Sequence, residues 1–220
     1  MGEFVNQITS PQMRMDQVSR YSGTRQADPE SVAIHVTDVS IMGYSLILRL
    51  NSQYGEDINV GEFLEKTIVH DIDEVLTGDV PRSTKYYNTT ILNELRAVAD
   101  TAMKHLSTKC FASDRVYTVW DESKQGKAGI IVKLADMLSV AKKTMIEIEM
   151  LGNNYFLKVA YEVRQYLAEL VDYLNEKSPY NEEATQYLIT ILQDAESEVN
   201  RLWTDRKDIA ERYGLLNNVW

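Results

Sequence analysis

Apolar positions along this chain recur every three to four residues over long stretches, and no useful length alternates apolar with polar. That periodicity predicts an all-α protein. From about Pro29 to Leu50, the apolar residues Val32, Val36, Val39, Ile41, Met42, Leu46, Ile47, Leu48 and Leu50 fall on nearly every side. They predict a central helix buried all round. Asn59-Val60-Gly61-Glu62 has the form of a capping box. It opens a helix in which Phe63, Leu64, Ile68, Ile72, Val75 and Leu76 share the period, ending near Gly78 and Pro81. A helix over about 89–108 carries Ile91, Leu92, Leu95, Val98, Ala102 and Leu106 on one face. Others are predicted over about 128–150, 154–176 and 181–213, broken by Gly152-Asn153-Asn154 and Ser178-Pro179. Residues 111–127 read as irregular, with Val116-Tyr117-Thr118-Val119-Trp120 as a short extended piece. Residues 1–30 are polar and interrupted by Pro11, Gly23 and Pro29; they read as an arm with one short helix around 12–20.

At 220 residues the chain suits one domain with a full core. Acids outnumber bases 33 to 23, giving a formal charge of −10. That balance argues against a sequence-independent binder of nucleic-acid polymers, which needs a basic surface. Cys110 is the single cysteine. It excludes an intramolecular disulfide framework and a multi-cysteine zinc site, and suits a reducing, cytoplasmic setting. No apolar run approaches ~18 residues, so no membrane span is predicted. Met1-Gly2-Glu3-Phe4 is followed by polar residues rather than by a signal-peptide core.

The three histidines are His35, His70 and His105. His70 is followed by Asp71, with Asp73 and Glu74 in the same turn; on a helix His70 and Glu74 share a face. Asp136 sits amid the apolar residues Val132, Leu134, Ala135, Met137 and Leu138. Two imidazoles and two carboxylates from three helices can surround one divalent ion, and mixed N/O ligands suit Mn, Fe, Co, Ni or Zn better than Ca. The spacing equally allows Asp71 as a surface carboxylate and His35 as a satisfied core histidine. His105 reads as an ordinary residue of an amphipathic helix, and Cys110 as a small buried or loop residue, since a nucleophilic role would need a base at short range.

A longer pattern carries more. Arg20-Tyr21 precedes Ala33-Ile34-His35; His70-Asp71-Ile72-Asp73-Glu74-Val75-Leu76-Thr77-Gly78-Asp79-Val80-Pro81 is followed by Lys85-Tyr86; then come Lys133-Leu134-Ala135-Asp136 and Gly152-Asn153-Asn154. Over about residues 16–160 this resembles the HD-domain 5′-deoxynucleotidases. Tyr21 stands where that family has Trp, Ile34 where it has Glu, and 111–127 does not match. The resemblance implies an HD-domain helical bundle with a phosphohydrolase core over 16–176. A polar arm over 1–15 precedes it, and residues 177–220, which the resemblance does not cover, read as a C-terminal helix packed on the core or on a second subunit. The resemblance implies one divalent metal ion, with Co, Mn, Mg, Zn, Fe and Ni not told apart, held by His35, His70, Asp71 and Asp136. Glu74 and Asp79 become the catalytic carboxylates, and Arg20, Tyr21, Thr77, Asp79 and Lys85 the substrate contacts.

The implied reaction removes the 5′-phosphate from deoxyribonucleoside 5′-monophosphates. Two alternatives stand beside it: a dNTP triphosphohydrolase of the same superfamily, and a non-catalytic HD-like interaction protein. Only Arg20, Lys85 and Arg82 are local cations in the motif, which favours a monophosphate. The complete ligand set with Glu74 speaks against a non-catalytic protein. The resemblance also implies a homodimer. Tyr166, Leu170, Tyr173, Leu174, Tyr187, Leu188, Ile191 and Leu192 look like more apolar surface than one core needs.

Overall fold

A computed structural model describes Val5, Thr9, Ser10, residues 14–212 and Gly214. Met1-Gly2-Glu3-Phe4, most of the 1–13 arm and the chain after Gly214 lie outside the described residues. Among the described residues there is no β-strand, only an isolated bridge between Ser19 and Ser31. The helices are α1 Val32–Gln53, α2 Val60–Val69, α3 Glu74–Thr77, α4 Arg82–Lys85, α5 Thr89–His105, α6 Asp114–Asp121, α7 Gly126–Met145, α8 Leu157–Lys177, α9 Glu182–Thr204 and α10 Lys207–Arg212. Asparagines cap α2, α5 and α9: Asn59, Asn88 and Asn181 each accept a backbone N–H with the side-chain oxygen.

The core lies where α1, α2, α7, α8 and α9 meet, around Ile47, Leu50, Phe63, Ile131, Leu134, Leu157, Leu167 and Leu188. Gly43 lets α1 and α2 touch: a Cβ there would lie 2.3 Å from Phe63 Cζ. A smaller cluster of Val69, Ile72, Met103 and Leu106 joins α2, α5 and α6.

Several expectations change. The 60–77 helix breaks at residues 70–73, where i→i+3 bonds such as Ile72 N–H to Val69 O and Glu74 N–H to Asp71 O tighten the chain. Val116–Trp120 is helical, not extended, because Val116, Tyr117, Val119 and Trp120 pack against the smaller cluster. The short helix expected at 12–20 is a single 3₁₀ turn, Met15–Gln17.

The first helix is not buried all round: Ile34, Ile41, Tyr44 and Leu48 are 52%, 64%, 43% and 48% exposed, and Leu64 and Ile68 of α2 are exposed too. By length and composition alone it is also long and apolar enough to cross a bilayer, although polar residues interrupt its apolar positions. Its opposite face carries His35, Val39 and Ile47 into the protein interior. Conversely, Leu170, Leu174, Leu188 and Leu192, read as surplus, are buried where α8 and α9 pack on each other.

The segment before α1 is fastened to the far end of the core. Glu147, fully buried, accepts the backbone N–H groups of Ala27 and Asp28 at 2.9 Å each and the Asn153 amide at 2.6 Å. It pairs with buried Lys143 at 3.0 Å. The Asn153 amide also donates to Arg25 O at 2.7 Å. Arg20 N–H donates to Glu30 O and Val32 N–H to Val18 O, which folds residues 18–32 back across the start of α1.

Candidate active site

His35 enters on the buried face of α1, and His70 caps the C-terminus of α2. The tightened turn that follows brings Asp71 beside both: Asp71 Oδ2 lies 3.6 Å from His35 Nε2 and 3.3 Å from His70 Nε2. One ligand atom from each of His35, His70 and Asp71 falls within 4.8 Å of the others. Asp136, from α7, places Oδ1 3.2 Å from His35 Nε2.

The far ring nitrogens are occupied. His70 Nδ1 donates to Thr67 O at 2.7 Å, and His35 Nδ1 meets Ser139 Oγ at 3.0 Å. Both Nε2 atoms therefore face the centre of the cluster, and both are buried without a hydrogen-bond partner. Unpartnered imidazole nitrogens beside two carboxylates are costly unless a cation completes them, so this donor set fits a divalent ion. Burial and the nearby Arg20 push the His35 pKa down to about 4, leaving a neutral ring. Burial works against a charge on His70 too, but Asp71 prevails and raises it, while burial of Asp71 is outweighed by His70, which holds it well below the usual carboxylate range. A metal ion would take the place of the proton on the His70 ring.

Above the cluster opens a cavity of about 320 Å³ whose wall includes Arg20, Tyr21, Asp71, Glu74, Asp79 and Lys85. Arg20 is nearly buried; Nη1 sits 3.7 Å from Asp71, and Nη1 and Nε lack hydrogen-bond partners. Glu74 is raised well above the ordinary value by burial, with Asp71 and Asp79 adding to it, and its Oε2 is also unpartnered. Asp79 Oδ2 accepts the Tyr21 N–H at 2.7 Å, and burial raises its carboxyl. Tyr21 takes a left-handed conformation, φ 55°, and lays its ring 5.1 Å from Phe156. Lys85 is exposed at the rim.

Thr77 is elsewhere. Its hydroxyl donates to Asp73 O and Gly78 O, and it lines a separate shallow recess with Leu76, Val98 and His105. The reason is the left-handed Gly78, φ 74°, which turns the chain toward Asp79 only after Thr77 has passed.

Three contributors were not read from the sequence. Lys124, half-exposed ahead of α7, reaches back so that Nζ lies 3.2 Å from Asp136 Oδ2. Lys158 of α8 lines the same cavity and donates to Ser83 Oγ at 3.2 Å. Trp120 of α6 donates its indole N–H to Asp73 Oδ1 at 3.0 Å, pinning the turn that carries Asp71.

The sequence profile of the YfbR-like 5′-deoxynucleotidases matches residues 9–188. The chain belongs to the YfbR-like 5′-deoxynucleotidase family. Among relatives, a 5′-deoxynucleotidase of Vibrio parahaemolyticus is 30% identical over 146 residues, 65% of this chain and 75% of the relative. The 5′-deoxynucleotidase YfbR of Salmonella paratyphi B is 31% identical over 150 residues, 65% of this chain and 73% of that protein. An HD-domain phosphohydrolase from Listeria innocua superposes with a TM-score of 0.61 at 21% identity, covering 90% of this chain and 98% of its own. A cyanophage S-2L HD phosphohydrolase, bound to dA and one catalytic Zn²⁺ ion, superposes with a TM-score of 0.58 at 18% identity, covering 86% and 96%. These likenesses give the YfbR-like chain the helical HD-domain fold.

Proposed function

We propose that the protein is a divalent-metal-dependent phosphohydrolase that removes the 5′-phosphate from deoxyribonucleoside 5′-monophosphates in the cytoplasm. The observation that carries this is the pair of unpartnered Nε2 atoms of His35 and His70, which meet Asp71 beneath a cavity that also holds Arg20 and Glu74. His35, His70, Asp71 and Asp136 would hold the ion. When bound, it polarises the phosphoryl group and makes water a stronger nucleophile.

Arg20, which lines the cavity with Nη1 3.7 Å from Asp71 and no hydrogen bond at Nη1 or Nε, offers its guanidinium to the phosphate, and Lys124 approaches the same space from the Asp136 side. As water forms its bond to phosphorus and the bond to the 5′ oxygen breaks, Glu74 holds the proton that the leaving oxygen needs. Asp79, with one oxygen committed to the Tyr21 N–H, keeps the other for a sugar hydroxyl. The Tyr21 ring walls the sugar and leaves little room at C2′.

Lys124 and Lys158 add to the local cations counted from sequence, which favours the dNTP reading more than the motif alone. The cavity also carries Asp71, Glu74, Asp79, Asp136 and Glu162, so its charge is balanced rather than strongly basic. Lys124, Lys158 and Arg82 are each engaged, by Asp136, Ser83 and Glu169. A single phosphate suits this balance better than three.

The homodimer fits the exposed stripe of α1 rather than the C-terminal helices. Ile34, Thr37, Ile41, Tyr44 and Leu48 follow heptad spacing on one exposed side.

Phosphate release from dAMP, AMP and dATP with Mn²⁺, Co²⁺ or Zn²⁺ tests the reading. Orthophosphate from dAMP, faster than from AMP, is expected. Tripolyphosphate from dATP with no release from dAMP would replace it with the dNTP reaction.

A further inference from the structure

We propose that the cavity carries a guanine-selective base subsite read by Glu162, a proposal that rests on the deoxynucleotidase reading of the same cavity. Glu162 lies on α8, half-buried, and lines both the main cavity and an adjoining recess of about 210 Å³. The two spaces share Arg82, Ser83, Tyr86 and Tyr166, so they form one continuous groove.

The groove is polarised. Its inner end holds the His–Asp cluster, Arg20 and Lys124, where a phosphate belongs. Its outer end is aromatic and acceptor-rich, with Tyr86, Tyr87, Tyr166, Gln165, Glu162 and Glu169. The cation there, Arg82, is spoken for: its guanidinium lies 3.8 Å from the Tyr166 ring centre and 4.5 Å from that of Tyr86, and it reaches Glu169 at 3.6 Å.

Lys158 stands one turn before Glu162 on the same helix, the natural i,i+4 partner. It bonds Ser83 instead. Glu162 is thus left, among the described residues, with no hydrogen bond and no ion pair. Burial accordingly raises its carboxyl above the ordinary value despite Lys158 and Arg82 nearby. A partly desolvated carboxylate with no partner, at the aromatic end of a nucleotide groove, is an acceptor awaiting N–H donors.

A carboxylate only accepts, and accepts best through two parallel bonds. Guanine offers such a pair, N1–H beside the N2 amino group. Adenine and cytosine each set a ring acceptor next to their amino group, and thymine flanks its single N–H with two carbonyls. Each of these turns a lone pair toward one carboxylate oxygen. A site built around N–H donors rejects bases that lack them.

The test measures kcat/KM for dGMP, dAMP, dCMP and dTMP with the wild-type protein and Glu162→Gln, and calorimetric Kd values for deoxyguanosine and thymidine with both. Glu162→Gln keeps shape while exchanging one acceptor for a donor. The wild type should favour dGMP by about tenfold or more, the usual discrimination of a bidentate base contact. The substitution should erase that ratio in turnover and in nucleoside binding alike. Equal values for the four nucleotides, or a loss in Glu162→Gln shared equally by all four, would overturn the proposal. Were no deoxynucleotide hydrolysed, the catalytic reading would fall, and the deoxyguanosine-to-thymidine binding ratio would still decide the role of Glu162.

Discussion

The Lys124 ammonium lies 3.2 Å from Asp136 Oδ2, although Lys124 precedes α7 and Asp136 sits nearly three turns inside it. Arg20 stands on the other carboxylate of the cluster, with Nη1 3.7 Å from Asp71 Oδ2. Two cations therefore flank the His–Asp centre from separate segments. Asp136 holds the Lys124 ammonium charged against its desolvation, and Lys124 helps hold Asp136 well below the carboxylate range.

Lys124→Ala should lower kcat for dNMP hydrolysis on the order of 10²-fold, the usual scale for losing one electrostatic contact to a developing anion. Lys124→Arg should recover part of it. Metal content by atomic spectroscopy should stay unchanged in both, since Asp136 keeps its place by packing in α7. Loss of metal from Lys124→Ala would make the lysine a support for Asp136 alone.

Metal should stabilise as well as activate. At about 100 times Kd, a ligand specific to the native state contributes about 2.7 kcal/mol. For a domain this size that corresponds to a Tm rise of roughly 5–10 °C. Scanning calorimetry of chelator-stripped protein, with and without added Zn²⁺ or Mn²⁺, should give that rise. In His70→Ala the rise should vanish.

Glu147 should make stability acid-sensitive. Burial opposes its charge, but the Asn153 amide, the Ala27 and Asp28 N–H groups and Lys143 together hold its carboxyl below the ordinary value. That contribution is complete above the unfolded glutamate pKa of about 4.3. It is lost as pH falls through the lower folded value. Urea unfolding across pH 3–6 should give a steeper acid decline in the wild type than in Glu147→Gln. Glu147→Ala removes the nearer of the two carboxylates beside buried Lys143, leaving Asp28 at 3.5 Å, and should cost about 3 kcal/mol at neutral pH.

Ile41→Glu should separate the proposed dimer. The change places a charge in the middle of the exposed α1 stripe and touches none of the site. Light scattering at micromolar concentration should give twice the chain mass for the wild type and the chain mass for the variant. A wild-type monomer would leave the stripe without a self-partner.

The turn from His70 to Asp79 was legible because its residues are contiguous and spell their own local geometry, including the left-handed Gly78. Asp136 was legible as a carboxylate amid helical core residues. Lys124 was not, since its reach depends on how the chain turns from α6 into α7, which no spacing encodes. Lys158 and Glu162 sit on a helix whose period tells which face is apolar but not which polar residues overlook a cavity. Val116–Trp120 has β-forming composition, and tertiary packing against Met103 and Leu106 outweighs it. Ile34, Ile41 and Leu48 are as apolar as Val39 or Ile47, so hydrophobicity alone could not tell a covered face from an open one. Thr77 lies inside the signature yet one residue short of the turn that would aim it inward.

The fastening of residues 25–28 to Glu147 and Asn153 sets the order in which the protein can become an enzyme. Those bonds span 119 to 128 positions, and the His35–Ser139 contact spans 104. Contacts between such distant positions close late, because the loop must lose its entropy before they repay it. A nascent chain on the ribosome therefore carries Arg20 and His35 from the outset but cannot align them. Competence arrives together with the second half of the polypeptide, and a shortened translation product ending before Glu147 would be inert however well its first helices formed.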